Sequence, residues 1–149
     1  MTTIVFREGV MAADSNVFWG DCNIGKFQKI YDLKEEKKVV GFSGATINCD
    51  MFLRFLRGEE FNKELLSNQE DELYFRAMVY DKVEKTIGIY DSYCYEYPDC
   101  HEAPYYALGS GKEFALGAMA SGSNAREAVE IASMFDKSTG GEVVVVDCW

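Results

Sequence analysis

The 149 residues carry a net charge of −10, with 48% hydrophobic and 14% aromatic residues and two prolines. That describes one globular domain spanning 1–149, large enough to bury about two-thirds of its unfolded surface, and the charge argues against nucleic acid or anionic membrane as a partner. No apolar run approaches the ~18 residues of a membrane helix, no basic-then-apolar leader is visible, and five cysteines without a C-x-x-C pair fit free thiols in a reducing cytosol.

In chain order, Thr2–Arg7 and Val10–Asp14 read as two strands around Glu8-Gly9. Phe27–Leu33 and Val39–Ser43 read as a second pair, joined by the charged turn Lys34–Lys38, and Gly44 ends the latter strand. Met51, Phe52, Phe55 and Leu56 give Asn48–Leu56 one apolar helical face, and Arg57-Gly58 closes that helix. The polar run Phe61–Asp71 reads as a turn or frayed helix, Glu72–Tyr80 and Thr86–Tyr93 as a hairpin, and Tyr93–Ala103 as a loop. Tyr105–Leu108 is a short strand running into Gly109-Ser110-Gly111. Helices are expected over Lys112–Ala120, with Phe114, Ala115, Met119 and Ala120 inward, and over Asn124–Met134, opened by an Asn124/Glu127 capping box. Val143–Val146 has the unbroken β-branched character of a strand buried on both faces. Strands, helix, strands, two helices, strand add up to an α+β layered architecture.

Thr2 is the first candidate for chemistry. Removal of Met1 would give this residue both a hydroxyl nucleophile and, in its α-amine, a base titrating at about 7.7–8.0. Asp14 ends an apolar strand, and the cations Lys26 and Lys29 lie beyond it. Cys94, Cys100 and His101 match no common zinc spacing, and no metal site is expected from them.

Thr2, Asp14, Lys26, Phe42-Ser43-Gly44-Ala45, Gly109-Ser110-Gly111 and Asp136-x-x-Thr139-Gly140-Gly141, taken in this order, resemble the proteasome β subunit family. That family includes the bacterial heat-shock-locus ring protease and belongs to the N-terminal-nucleophile hydrolases. The resemblance implies a four-layer αββα sandwich, here shortened in its middle helical region between about Glu59 and Glu102. It implies a threonine peptidase without metal or organic cofactor. Thr2 would be the nucleophile, Gly44 would supply the oxyanion-binding N–H, and Asp14, Lys26, Ser110, Asp136 and Thr139 would support them. Lys29 is as good as Lys26 by charge; Lys26 is preferred because it keeps Phe27 and Ile30 in the family's register. The substrate pocket would include residues near Val17, Gln28, Phe42 and Thr46. The implied partners are copies of the chain in a homo-oligomeric ring, an ATP-driven unfoldase, and unfolded protein or peptide as substrate. Two alternatives stand beside this reading: a catalytically inactive ring or adaptor that binds a partner through Tyr90–Tyr106, and an amidase acting on a small amide. The Asp-x-x-Thr-Gly-Gly segment counts against the amidase, because it is a proteasome-type feature.

Overall fold

The computed structural model describes residues 2–44, 47–59, 75–91, 96 and 103–149. In chain order the strands are β1 (Thr3–Arg7), β2 (Val10–Ala13), β3 (Asn16–Trp19), β4 (Cys22–Lys26), β5 (Ile30–Leu33) and β6 (Lys38–Gly44). Helix α1 (Ile47–Leu56) follows, then β7 (Phe75–Asp81), β8 (Thr86–Asp91), β9 (Tyr105–Gly109), helices α2 (Lys112–Ala120) and α3 (Ala125–Phe135), and β10 (Val144–Asp147). The chain is thus α+β, with three helices among the described residues. None of them is long and apolar enough to cross a membrane. The segment Phe61–Asp71, the proposed shortening of the middle region, and Cys94, Cys100 and His101 fall outside the described residues in whole or large part.

Two four-stranded antiparallel sheets form, in the orders β10-β2-β1-β9 and β5-β6-β7-β8. The β1–β2 turn, Glu8-Gly9, has φ values of 50° and 76°, a pairing that matches the twist of two-residue hairpins. Period-2 alternation then sorts the side chains by face. Ile4, Phe6, Met11 and Ala13 pack against Ile30, Val39, Met78, Tyr80, Ile87 and Ile89 of the other sheet. On the outer face of the first sheet, Val5 and Ala12 meet Ala115, Met119, Ala128, Val129 and Ala132 of α2 and α3. Val40, Phe42, Ala77 and Val79, on the outer face of the second, meet Cys49, Phe52 and Leu53 of α1. The capping box of α3 is formed, with Glu127 N–H donating to Asn124 Oδ1 at 2.9 Å and Asn124 N–H to Glu127 Oε1 at 3.1 Å.

Three sequence expectations need correction. Strand β10 lies at the edge of its sheet, with Val144 41% exposed, so it is not buried on both faces. Helix α2 buries Ala115, Ala118 and Met119, while Phe114 and Ala120 face outward. Phe114 stacks there on the exposed Phe135, with ring centroids 5.6 Å apart. The hairpin β3–β4 had no counterpart in the sequence reading; every residue of β4 is exposed, so no buried face imposed an alternating pattern.

Candidate active site

The antiparallel registers bring the start of β1 and the ends of β2, β6 and β9 to one end of the two sheets. Thr3 pairs with Gly109, Ile4 with Ala13, and Gly44 closes β6 opposite Phe75. Thr2 therefore sits against the end of β9. A Cβ on Gly109 would lie 2.0 Å from the Thr2 carbonyl oxygen and 3.1 Å from Ser43 Oγ. A Cβ on Gly111 would lie 2.0 Å from Thr3 Oγ1. These two glycines are what lets the Gly109-Ser110-Gly111 loop close on the strand that begins with the candidate nucleophile. The N–H of Gly111 donates to Thr2 O at 3.4 Å.

Asp14 follows β2 directly and is 1% exposed. Its Oδ1 accepts from the Thr2 hydroxyl, from Thr3 N–H at 3.1 Å and from Lys29 Nζ at 2.9 Å, and its Oδ2 accepts from Gly140 N–H at 3.0 Å. A buried carboxylate so surrounded has both its charge and its lone pairs compensated. The compensating cation is Lys29, with a side chain 7% exposed, and not Lys26. Lys26 is exposed on β4, facing Asn16 across the hairpin. The register argument for Lys26 failed because β4 and β5 are separate strands joined by the connection Phe27–Lys29. That connection is held by Phe27 N–H on Ser15 O at 2.9 Å and Phe42 N–H on Lys29 O at 2.9 Å, which turns Lys29 inward. Lys29 Nζ also donates to Asn16 O at 2.7 Å. Burial pushes the Lys29 ammonium below the ordinary lysine value, opposed by the charge and hydrogen bond of Asp14.

A second carboxylate supports the other side. Asp136 Oδ2 accepts from Ser110 Oγ and from Thr139 Oγ1, each at 2.6 Å, and its Oδ1 accepts from Ser138 N–H at 3.2 Å. Partial burial would raise the Asp136 carboxyl, but the Ser110 and Thr139 hydroxyls and the Ser138 N–H outweigh it, so its pKa lies below the ordinary aspartate value. Ser110 Oγ also reaches Thr2 O at 3.4 Å, and Thr139 Oγ1 lies 2.7 Å from Thr3 Oγ1. The two carboxylate clusters thus meet around Thr2 and Thr3. Both loop carbonyl contacts of Gly140, to Ser15 N–H at 3.1 Å and Asn16 N–H at 3.0 Å, fix the Asp136–Gly141 loop beside Asp14.

The structure brings together Thr2, Asp14, Ser110, Asp136 and Thr139, and places Gly44 next to Ser43 at the same end. Thr3 and Lys29 belong to the cluster and were not singled out or not preferred. Thr3 is 0% exposed, a hydroxyl in a strand core, which its β-propensity alone would not flag. Of the expected substrate-pocket residues, Val17 is half-buried on β3, and Gln28 is exposed with Nε2 donating to Ile30 O at 2.9 Å. Phe42 does not line an opening. It is 3% exposed and packed among Tyr31, Phe52 and Phe75 beneath α1. Thr46 falls outside the described residues.

By sequence, no protein-family model and no curated protein matches the chain. By structure, it is similar to BPH of Thiobacillus denitrificans, with a TM-score of 0.70 and 20% identity over 99% of this chain and 98% of that one. The same protein in complex with epoxomicin gives a TM-score of 0.69 and 17% identity, again over 99% and 98% of the two chains. Eukaryotic HslV of Trypanosoma brucei gives a TM-score of 0.63 and 19% identity over 97% of each chain. The chain has the proteasome β-subunit-like fold.

Proposed function

We propose that the protein is a threonine peptidase whose nucleophile is Thr2, freed by removal of Met1. The observation that carries this reading is the shared Asp14 oxygen, which accepts both the Thr2 hydroxyl and the Lys29 ammonium. In this reading the free α-amine of Thr2 takes the hydroxyl proton as Oγ1 attacks the peptide carbonyl. The Gly44 N–H receives the oxyanion, a contribution of about 2.7–4 kcal/mol where such a donor is preorganised. The amine then passes the proton to the departing amine, leaving an ester on Thr2. Water hydrolyses the ester with the same amine as base. Lys29, in place of Lys26, supplies a like charge that keeps the amine neutral near working pH. Ser110, Asp136 and Thr139 hold the surrounding hydroxyls. No cofactor takes part.

The finer architecture proposed is the four-layer αββα sandwich, supported by the packing of α1 on one sheet and of α2 and α3 on the other. The working form is a homo-oligomeric ring in the cytoplasm, fed with unfolded protein by an ATP-driven unfoldase. A protein of similar structure was determined in complex with epoxomicin, and in this reading the same compound would react with a free Thr2. Degradation of an unfolded protein such as casein tests the activity. The wild type with a free Thr2 amine should cleave it, Thr2→Ser should retain cleavage, and Thr2→Ala should lose it. Equal activity of Thr2→Ala and wild type would reject the assignment.

A second reading has its own observation. Thr2 is 3% exposed and its hydroxyl is engaged by Asp14. A chain that kept Met1 in this arrangement would be a silent ring or adaptor, and it would show no cleavage in the same assay.

A further inference from the structure

The end of the two sheets away from Thr2 carries a cavity. Along β6, Gly44 marks the candidate active-site end and Lys38, paired with Asp81, the other. Six residue-to-residue steps of strand separate them by about 20 Å. The cavity at that far end measures about 670 Å³, within the range of small-ligand sites. Phe6 and Tyr80, stacked with centroids 5.4 Å apart, form its floor together with Ile87 and Tyr106. These side chains continue directly into the inter-sheet core. One wall is Trp149, 81% exposed but seated on the Gly9 turn, so close that a Cβ on Gly9 would lie 2.3 Å from the indole. Its approach is fixed by Cys148 N–H donating to Gly9 O at 2.7 Å.

Two cations stand at this end of an otherwise acidic protein. Lys82 Nζ is 2.9 Å from Asp32 Oδ1 and is neutralised there. Lys85 lines the cavity and has no ion-pair partner among the described residues. It sits on the β7–β8 turn, which is held by Lys85 N–H on Asp81 O at 2.8 Å and by Val83 N–H on Asp81 Oδ1 at 2.8 Å. An aromatic, concave floor with one ammonium at its rim that is unmatched among the described residues is complementary to a molecule with an apolar body and a single negative end.

We propose that this cavity binds a small hydrophobic carboxylate, its body against Phe6, Tyr80 and Trp149 and its anionic end on Lys85. The site is independent of the Thr2 assignment, from which it is separated by the length of the sheets. The chain has two tryptophans, so a Trp19→Phe variant leaves Trp149 as the sole emitter and a reporter of the cavity. Titration with decanoate should change its emission saturably at submillimolar concentration, and the reciprocal Trp149→Phe variant should stay silent. In the Trp19→Phe background, Lys85→Gln should weaken decanoate binding about two- to fivefold, the range of an exposed ion pair, and leave 1-decanol binding unchanged. No saturable change up to 2 mM decanoate would overturn the proposal, as would a response from Trp19 alone. An equal effect of Lys85→Gln on decanoate and on 1-decanol would overturn the carboxylate assignment.

Discussion

At the scale of single residues, Lys29 is the cation that neutralises Asp14. Removing one member of a buried ion pair leaves the other charge uncompensated, at a cost of about 3–5 kcal/mol. Lys29→Met should therefore lower unfolding free energy by roughly that amount in urea titrations, while Lys26→Met, on an exposed strand, should stay within about 0.5 kcal/mol. The reverse ranking would move the ion pair back to Lys26. Asp136 gives a pH prediction. Its folded pKa lies below the ordinary value of 3.8, so the unfolded chain binds the proton first as pH falls. The stability this carboxylate adds is present above about pH 3.8 and is lost as pH drops through the folded pKa. Wild type and Asp136→Asn should differ in thermal midpoint at pH 6 and converge towards pH 3. A gap that is constant across that range would show that the carboxylate charge contributes nothing.

Among the secondary-structure elements, the loop Gly109-Ser110-Gly111 controls how closely β9 approaches the start of β1. Gly109 has φ of +97°, and its Cβ would strike the Thr2 carbonyl at 2.0 Å. Gly109→Ala should cost at least about 1–3 kcal/mol from backbone strain alone. It should also shift the amide signals of Thr3 and Ile4, which pair with Gly109 and Leu108, more than those of Phe6 and Arg7 in a backbone NMR comparison. A uniform or absent shift would mean that the loop does not set the position of Thr2. The strands buried on both faces, β1, β2 and β6, were legible because short continuous apolar runs write burial directly into sequence. The β3–β4 hairpin was not, since every residue of β4 is exposed and no buried face imposes a pattern on it. Lys29 was missed for a related reason. Its inward turn comes from backbone hydrogen bonds to Ser15 and Phe42, long-range contacts that no local spacing reveals. Phe42 is a third case: its position next to Ser43-Gly44 was legible, but the aromatic cluster that draws it into the core depends on Phe52 of α1 and Phe75 of β7.

For the whole molecule, α+β class and the order of elements other than the β3–β4 hairpin followed from the sequence, and the fold agrees with the proteasome β-subunit-like resemblance over 97–99% of the chain. Assembly did not follow from periodicity, because a surface that meets another subunit obeys no local pattern. The exposed Phe114–Phe135 stack and Met134, 75% exposed, form an apolar surface on α2 and α3. Sedimentation equilibrium should give a mass several times the 16.8 kDa of one chain if the ring proposal holds. A strict monomer at micromolar concentration would reject it.

The central claim is that Thr2 is a free N-terminal nucleophile. It is tested most directly by intact-mass spectrometry of the protein purified from cells, before and after incubation with an epoxyketone. The expected product is a chain lacking Met1 that gains one inhibitor mass, mapped to Thr2. A chain that retains Met1 and gains no adduct would contradict it.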